Sequence, residues 1–106
     1  MTAAVIYVTA KDRSEAVHIG RSLVGERLVA CANIIDGIAS LYWWQDQVQE
    51  ETEAVLIAKT REDLVSAVID RVKEIHSYEC PCVVAWPITA GSREYLDWIQ
   101  AETQSR

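Results

Sequence analysis

Basic residues are scarce in this sequence, and none of its apolar runs is long. Ten Lys and Arg residues stand against sixteen Asp and Glu residues, which gives a formal net charge of -6 at pH 7. Nucleic-acid-binding domains are normally basic, so this charge argues against a nucleic-acid partner. No segment approaches the roughly 20 apolar residues that span a bilayer, and MTAAVIYVTAKD lacks the features of a signal peptide. We therefore expect a cytoplasmic protein with no membrane partner.

Cysteine and glycine are also few, with three and four residues respectively. The odd cysteine count and the closeness of Cys80 to Cys82 exclude a disulfide scaffold, so we expect reduced thiols. A glycine-rich loop that would bind phosphate is missing. Neither His18 nor His76 has an identifiable serine or cysteine nucleophile as a partner. We therefore do not expect an enzyme.

The residues that are present predict one domain covering residues 1–106. Half of the chain is apolar, which is enough for a sizeable core. The pattern predicts strand, helix, strand, strand, helix, strand and a short last helix. Right-handed crossovers place the two main helices on one side of a four-stranded antiparallel sheet. The predicted fold class is therefore α+β, a ferredoxin-like βαββαβ sandwich with an extra C-terminal helix and a long β-hairpin.

Local signals predict where these elements begin and turn. Asp12, Thr60 and Ser92 are the predicted caps of the first, second and last helices. Asp36-Gly37 is either a hairpin turn or, as we favour, a bulge within one long strand. Asp46-Gln47 is the predicted tip of the hairpin.

The predicted hairpin is too long for its own domain. Arms of about 14 residues extend roughly 45 Å, whereas helices of about 14 residues cover only ~21 Å. The distal part carries Tyr42, Trp43 and Trp44, which are too apolar to stay in water, and the sheet face opposite the helices has no predicted cover. We expect these aromatic residues to form an interface between copies of the chain. The alternative is a hairpin that folds back on its own sheet.

Five segments in order carry a resemblance to a known family. They are ACANI at Ala30–Ile34, YWW at Tyr42–Trp44, KTR at Lys59–Arg61, HSYECP at His76–Pro81 and YLDWI at Tyr95–Ile99. Together they resemble the CutA divalent-cation-tolerance family over nearly the whole chain. The resemblance implies a ferredoxin-like subunit in a homotrimer, similar in architecture to the PII signalling proteins. It also implies a role in tolerance of copper and other divalent metal ions, with no established enzymatic activity.

The resemblance places a candidate metal site in the stretch after the second helix. It assigns a ligand role to His76, while Cys82 stands where family members have a carboxylate after the proline. Cys80 and Cys82 project to the same side if the segment is extended, and Glu79 adds a fourth group. Such a set suits copper, as Cu(I), or another soft or divalent ion such as Zn or Cd, although none is required for folding. The alternative is structural: His76 ends the helix near its carbonyls, and the cysteines pack as small apolar residues.

A second candidate site is a cleft between subunits formed by Lys59, Arg61 and Trp86. Lys59 and Arg61 lie at a strand end and a helix start, where cations can hold an anion. The corresponding alternative function is a PII-like sensor of a small metabolite. Solvated or ion-paired charges are the simpler explanation of the same residues.

Overall fold

The computed structural model describes residues 2–103. The predicted element order is confirmed. The elements are β1 Ala3–Ala10, α1 Arg13–Gly25, β2 Cys31–Trp44, β3 Gln47–Arg61, a 3-10 turn Glu62–Leu64, α2 Val65–Ile75, β4 Val83–Pro87 and α3 Arg93–Glu102. All strands pair antiparallel in one sheet of order β2-β3-β1-β4, as the ferredoxin-like prediction requires. No helix within residues 2–103 has both the length and the apolar character needed to cross a bilayer.

The core lies between one face of the sheet and the two helices α1 and α2. Along β1, Ala4, Ile6 and Val8 are buried on the helix side, while Val5 and Tyr7 face the other way and are half-buried. This alternation follows from the two-residue period of a strand. The buried cluster consists of Ile6, Val8, Ala10, Ala16, Ile19, Leu23, Val29, Ala54, Leu56, Ala58, Val68 and Val72.

The first helix begins where its predicted cap places it. Asp12 accepts a hydrogen bond from the Glu15 backbone N–H at 2.8 Å, and Glu15 Oε1 accepts one from the Lys11 N–H at 3.0 Å. Two backbone donors at the helix start are thus satisfied reciprocally by two carboxylates. The second oxygen of the Glu15 carboxylate, Oε2, contacts a distant segment that is described below.

Gly37 marks a bulge, and not the hairpin turn that was its alternative. Ile35 pairs with Val55 but Ile38 pairs with Glu53, so β2 contains one residue more than β3 at this point. Gly37 has φ +72°, a left-handed conformation that glycine adopts without steric cost. Side chains alternate along a regular strand. The extra residue therefore places every distal residue of β2 on the face opposite to the one it would have in an unbulged strand of the same sequence.

The hairpin tip lies one residue earlier than predicted. Gln45 and Asp46 both have positive φ, 52° and 62°, and β3 begins at Gln47. Two central residues with positive φ give the turn whose twist matches that of the flanking strands. The predicted pair Asp46-Gln47 was wrong because Asp46 is the second central residue of the turn, and not the first.

Of the other two predicted helix caps, Thr60 was wrong, and Ser92 was right in position but makes no capping hydrogen bond. Thr60 belongs to β3, is fully buried, and donates its hydroxyl to Leu28 O at 2.6 Å; α2 begins after the 3-10 turn without a side-chain cap. Ser92 does precede α3, but its hydroxyl donates to Glu94 Oε2 at 3.1 Å and not to a backbone group. The Thr60 partner is 32 residues away along the chain, whereas Ser92 contacts a side chain only two residues on.

Helix α3 covers part of the sheet face that was predicted to be bare. Ile99 on α3 is fully buried, and α3 contacts both β3 and β1. The Tyr95 hydroxyl lies 3.3 Å from Cys31 Sγ, on the side of β2 opposite the core-facing Ala32. The expectation of an uncovered face is therefore corrected near α3.

Candidate functional site

The candidate site is the connection from α2 to β4, residues 76–82. α2 ends at Ile75, and the His76 N–H still donates to Val72 O at 2.9 Å. Pro81 cannot continue a helix, and Val83 begins β4 by pairing with Val8 of β1. The connection is therefore fixed at both ends, by a helix and by the sheet.

His76 is fixed by its ring and not by the carbonyls of α2. Its side chain is fully buried, with 0% exposed, and Nε2 lies 2.7 Å from Thr9 O. The Tyr78 backbone N–H donates to Nδ1 at 3.0 Å. Because Nδ1 accepts, Nε2 carries the proton and donates to Thr9 O. The ring also packs on Tyr78, with centroids 4.7 Å apart, so both nitrogens of His76 are used inside the protein.

A carboxylate from α1 supports the same connection. Glu15 Oε2 accepts a hydrogen bond from the Ser77 N–H at 2.8 Å and lies 3.9 Å from His76 Nδ1. Burial raises the pKa of Glu15, but hydrogen bonds from Ser77 and from the Lys11 backbone outweigh it, so the pKa lies below its usual value. The ionised Glu15 thus links the start of α1 to the residue after His76.

Tyr78 is anchored to the hairpin. Its hydroxyl donates to Glu53 Oε2 at 2.6 Å, and Glu53 is buried although it is acidic. Burial raises the pKa of Tyr78, and the hydrogen bond to Glu53 raises it further. Glu15 and Glu53 are not recognisable from the sequence as partners of this connection, because each contacts a residue far away along the chain. For Glu15 the only local signal was its spacing from Asp12, which is typical of a helix start.

The structure does not assemble the predicted set of His76, Glu79, Cys80 and Cys82. Glu79, Cys80 and Cys82 are exposed, whereas His76 is buried and hydrogen-bonded at both nitrogens. Within residues 2–103, no three His, Cys, Asp or Glu side chains lie together so as to hold a metal ion. Of the structural alternative, the first part is confirmed, because His76 ends α2 as its C-cap, and the second is wrong, because the two thiols are exposed and do not pack as buried apolar groups. All three cysteines are free.

The predicted ligand-cleft residues share a face of the sheet but not a cavity. Lys59 pairs with Val5, and Val5 pairs with Trp86, so Lys59 and Trp86 lie on one row. Lys59 Nζ donates to Asn33 Oδ1 at 2.8 Å. Arg61 Nε lies 3.2 Å from Asp63 Oδ1. A cavity of about 420 Å³ adjoins Arg61, but its other lining residues are Thr2, Glu62, Asp63 and Gln100.

The distal hairpin exposes apolar side chains on both faces. The register places Tyr42 and Trp44 on one face and Leu41, Trp43 and Val48 on the other. Trp43 is 74% exposed and Leu41 66%. Each face lies beyond the part of the sheet that α1 and α2 cover. Exposed apolar surface of this kind marks an interaction site.

A smaller contact joins Cys31 to α3. The hydrogen bond with Cys31, together with burial, raises the pKa of Tyr95 to about 12. The Tyr95 ring also stacks on Trp98, with centroids 5.5 Å apart. Cys31 itself is half-buried.

Comparison with known proteins covers almost the whole chain. The family described as CutA1 divalent ion tolerance protein matches residues 4–102. "Divalent-cation tolerance protein CutA" of Thermus thermophilus is 42% identical over 99 residues, which are 93% of this chain and 96% of that protein. "Protein CutA 1, chloroplastic" of Oryza sativa is 42% identical over 100 residues, or 94% of this chain. The chain spans only 56% of the length of that rice protein.

The fold agrees with the sequence comparison. The crystal structure of CutA1 from Oryza sativa superimposes with a TM-score of 0.96 at 40% identity, covering 100% of this chain and 97% of that one. The family model matches residues 4–102, and the relatives named above are 40% to 42% identical to this chain over nearly its whole length. The chain belongs to the CutA family.

Proposed function

We propose that this chain is a homotrimeric, cytoplasmic protein of divalent metal-ion tolerance that binds copper or related ions weakly and has a signalling or structural role. The observation that carries the proposal is the distal hairpin, with apolar side chains on both of its faces. The name divalent-cation tolerance protein, borne by the Thermus relative, supports the role in metal tolerance. Three free thiols are in keeping with a reducing compartment. The proposal includes no catalytic step.

The two faces of the hairpin favour a ring over a twofold pair. A dimer formed through one face would shelter Tyr42 and Trp44, or else Leu41 and Trp43, but not both sets. A cyclic arrangement gives each hairpin two neighbours, one for each face, and closes without a free end. Three is the smallest ring in which the two neighbours are different chains.

Sedimentation equilibrium of the full chain at micromolar concentration tests the assembly. We expect a single species of three times the 11.9 kDa chain mass. A monomer that stays folded at this concentration would contradict the proposal, because its hairpin would then be stable in water.

Thermal unfolding in the presence of metal ions tests the proposed metal binding. The protein is scanned under reducing, anaerobic conditions with Cu(I), Zn(II) or Cd(II). Specific binding to the native state at about 100 times the dissociation constant adds roughly 2.7 kcal/mol of stability, and we expect the melting temperature to rise accordingly. Mg(II) is the matched control ion. A melting profile that none of the three ions changes would count against metal binding.

A further inference from the structure

We propose that Cys80 and Cys82 form a two-thiolate site for a soft metal ion, and that His76 takes no part in it. This inference rests on the proposed metal binding and deepens it, since it names the ligands and the class of ion. It follows from the different environments of the imidazole and the thiols within one short connection.

His76 is not free to coordinate. Its Nε2–H donates to Thr9 O at 2.7 Å, and its Nδ1 accepts from the Tyr78 N–H at 3.0 Å. A metal ligand needs an unprotonated nitrogen with an open lone pair, and here Nδ1 is the acceptor and Nε2 the donor. Coordination would leave Thr9 O or the Tyr78 N–H without a partner in a buried place, which is unfavourable. The ring would also have to leave its contact with Tyr78.

The two thiols are in the opposite situation. Cys80 and Cys82 are both exposed, so a metal ion can reach them without disturbing the core. Tyr78 is anchored by Glu53, and Val83 is paired with Val8, so the thiols lie on a short span between two fixed points. Both thiols are therefore held within the same short part of the surface.

The separation of the two cysteines along the chain is compatible with chelation of one ion. Two residues of chain reach at most about 7 Å between Cα atoms, and two sulfurs bound to one ion at about 2.3 Å each lie within about 4.6 Å of one another. A disulfide would need a Cα separation near 5.5 to 6 Å and a fixed dihedral, and in this structure both cysteines are free. The pair therefore remains available as thiols and can bind one ion as thiolates.

Two sulfurs select the kind of ion. Thiolates prefer soft ions such as Cu(I), whereas oxygen ligands suit Mg(II), Ca(II) and Mn(II). Within the described residues there is no third His, Cys, Asp or Glu side chain grouped for metal binding, so an ion that accepts two ligands is favoured over one that requires four. Cu(I) meets this condition, and Cd(II) would complete its coordination with water or the exposed Glu79.

The test compares the full chain with a C80S/C82S double variant and a C31S control. Each protein is reduced, kept anaerobic, and titrated with Cu(I) against a chromogenic chelator. We expect the double variant to lose at least about 100-fold in affinity, because removing even a residue that only hydrogen-bonds to a metal ligand costs up to about 100-fold. C31S should bind within about twofold of the native chain, because Cys31 is hydrogen-bonded to Tyr95 outside the connection.

The imidazole supplies a second readout that does not depend on folding of a variant. The ¹⁵N resonances of His76 are recorded in the native chain with and without Cu(I), and the exposed His18 serves as the internal reference. Unchanged His76 nitrogens support the proposal. If the His76 Nε2–H signal is lost, or if the C80S/C82S variant binds Cu(I) as tightly as the native chain, the proposed site is wrong although the chain still binds metal. Absence of any Cu(I) binding by the native chain overturns the proposed metal binding and the site with it.

Discussion

At the scale of single residues, His76 has the most consequences for stability. Its ring joins the end of β1, through Thr9 O, to the connection after α2. Replacing it with alanine should cost about 2–4 kcal/mol, because a buried ring is lost and the carbonyl of Thr9 keeps no partner. Denaturant unfolding at fixed protein concentration measures this cost.

The matched control for that change is His18→Ala. His18 is exposed on α1, and substitutions at such positions usually stay within about 0.5 kcal/mol. Equal effects of the two alanine substitutions would contradict the role given to His76.

Glu15 links stability to pH. The pKa of Glu15 is lowered in the folded protein, so its contribution is present above the unfolded pKa of 4.5 and is lost as pH falls through the folded value. Glu15→Gln should cost about 1.5–3 kcal/mol near pH 7, as expected for hydrogen bonds to a charged group. The difference should shrink steadily below pH 4.5, measured by denaturant unfolding across pH.

Asp70→Asn is the control for this pH dependence. Asp70 is exposed on α2, so its substitution should change stability little at any pH. A gap between native and Glu15→Gln protein that stays constant down to pH 3 would show that the charge of Glu15 is not involved.

Sequence alone predicted single residues well where the partner was local. Asp12 contacts Glu15 three residues on, and this cap was correctly predicted. Thr60 has the same kind of hydroxyl group, but the carbonyl of Leu28 reached it from across the sheet. Likewise Glu53 is bound by Tyr78, 25 residues away. Hydrogen bonds between distant residues depend on the tertiary fold, so residue type and local spacing did not predict them.

At the scale of elements, the bulge in β2 depends on Gly37. A side chain at φ +72° is strained, by roughly 1–2 kcal/mol, so Gly37→Ala should destabilise the protein by about that amount. Denaturant unfolding checks the value.

Gly25→Ala is the matched control. Gly25 ends α1, and a Cβ there would meet nothing within 4 Å. In a helix alanine is favoured over glycine by about 1 kcal/mol, so this variant should be neutral or slightly more stable. A Gly37→Ala protein as stable as Gly25→Ala would argue against strain at the bulge.

Element order and the bulge were predictable because apolar periodicity and Gly37 both report on local backbone geometry. The hairpin tip was missed by one residue, since Gln45 carries no sequence signal for its positive φ. The position of α3 was missed for a different reason. Its apolar residues indicated that it packs, but not that Tyr95 would meet Cys31 on the far side of β2.

At the scale of the whole molecule, the dominant feature is the overhang, which is the distal part of the hairpin beyond the sheet area that α1 and α2 cover. The longest dimension is 44 Å, against 26 and 21 Å for the other two, in agreement with the length expected for the hairpin. Sequence could predict this overhang because the length of an extended strand is fixed by its residue count. It could not predict the environment of the candidate metal ligands, which depends on Thr9, Glu15 and Glu53 meeting residues 76–78.

The assembly should depend on the exposed aromatic residues of the overhang. Trp43→Glu places a charge on one apolar face, and burying an unpaired charge is strongly unfavourable. We expect this variant to sediment as smaller species at micromolar concentration while keeping its far-ultraviolet circular dichroism.

Val24→Glu is the control for this change. Val24 is 40% exposed on α1, outside the hairpin, and the same charge there should leave the assembly intact. Dissociation by both variants would point to general destabilisation and not to an interface at Trp43.

The extra residue at the bulge determines which deletions in β2 leave the distal side chains on their present faces. Distal to Gly37, the alternation of side chains decides on which face of the hairpin each aromatic ring lies. Deleting one residue from residues 36–37 would remove the bulge and restore regular pairing, so Ile38 would still pair with Glu53 and Trp43 and Trp44 would keep their faces. Deleting both residues would place Ile38 directly after Ile35 and move the distal aromatic side chains to the opposite faces, so the loss of the pair should be more disruptive than the loss of one residue.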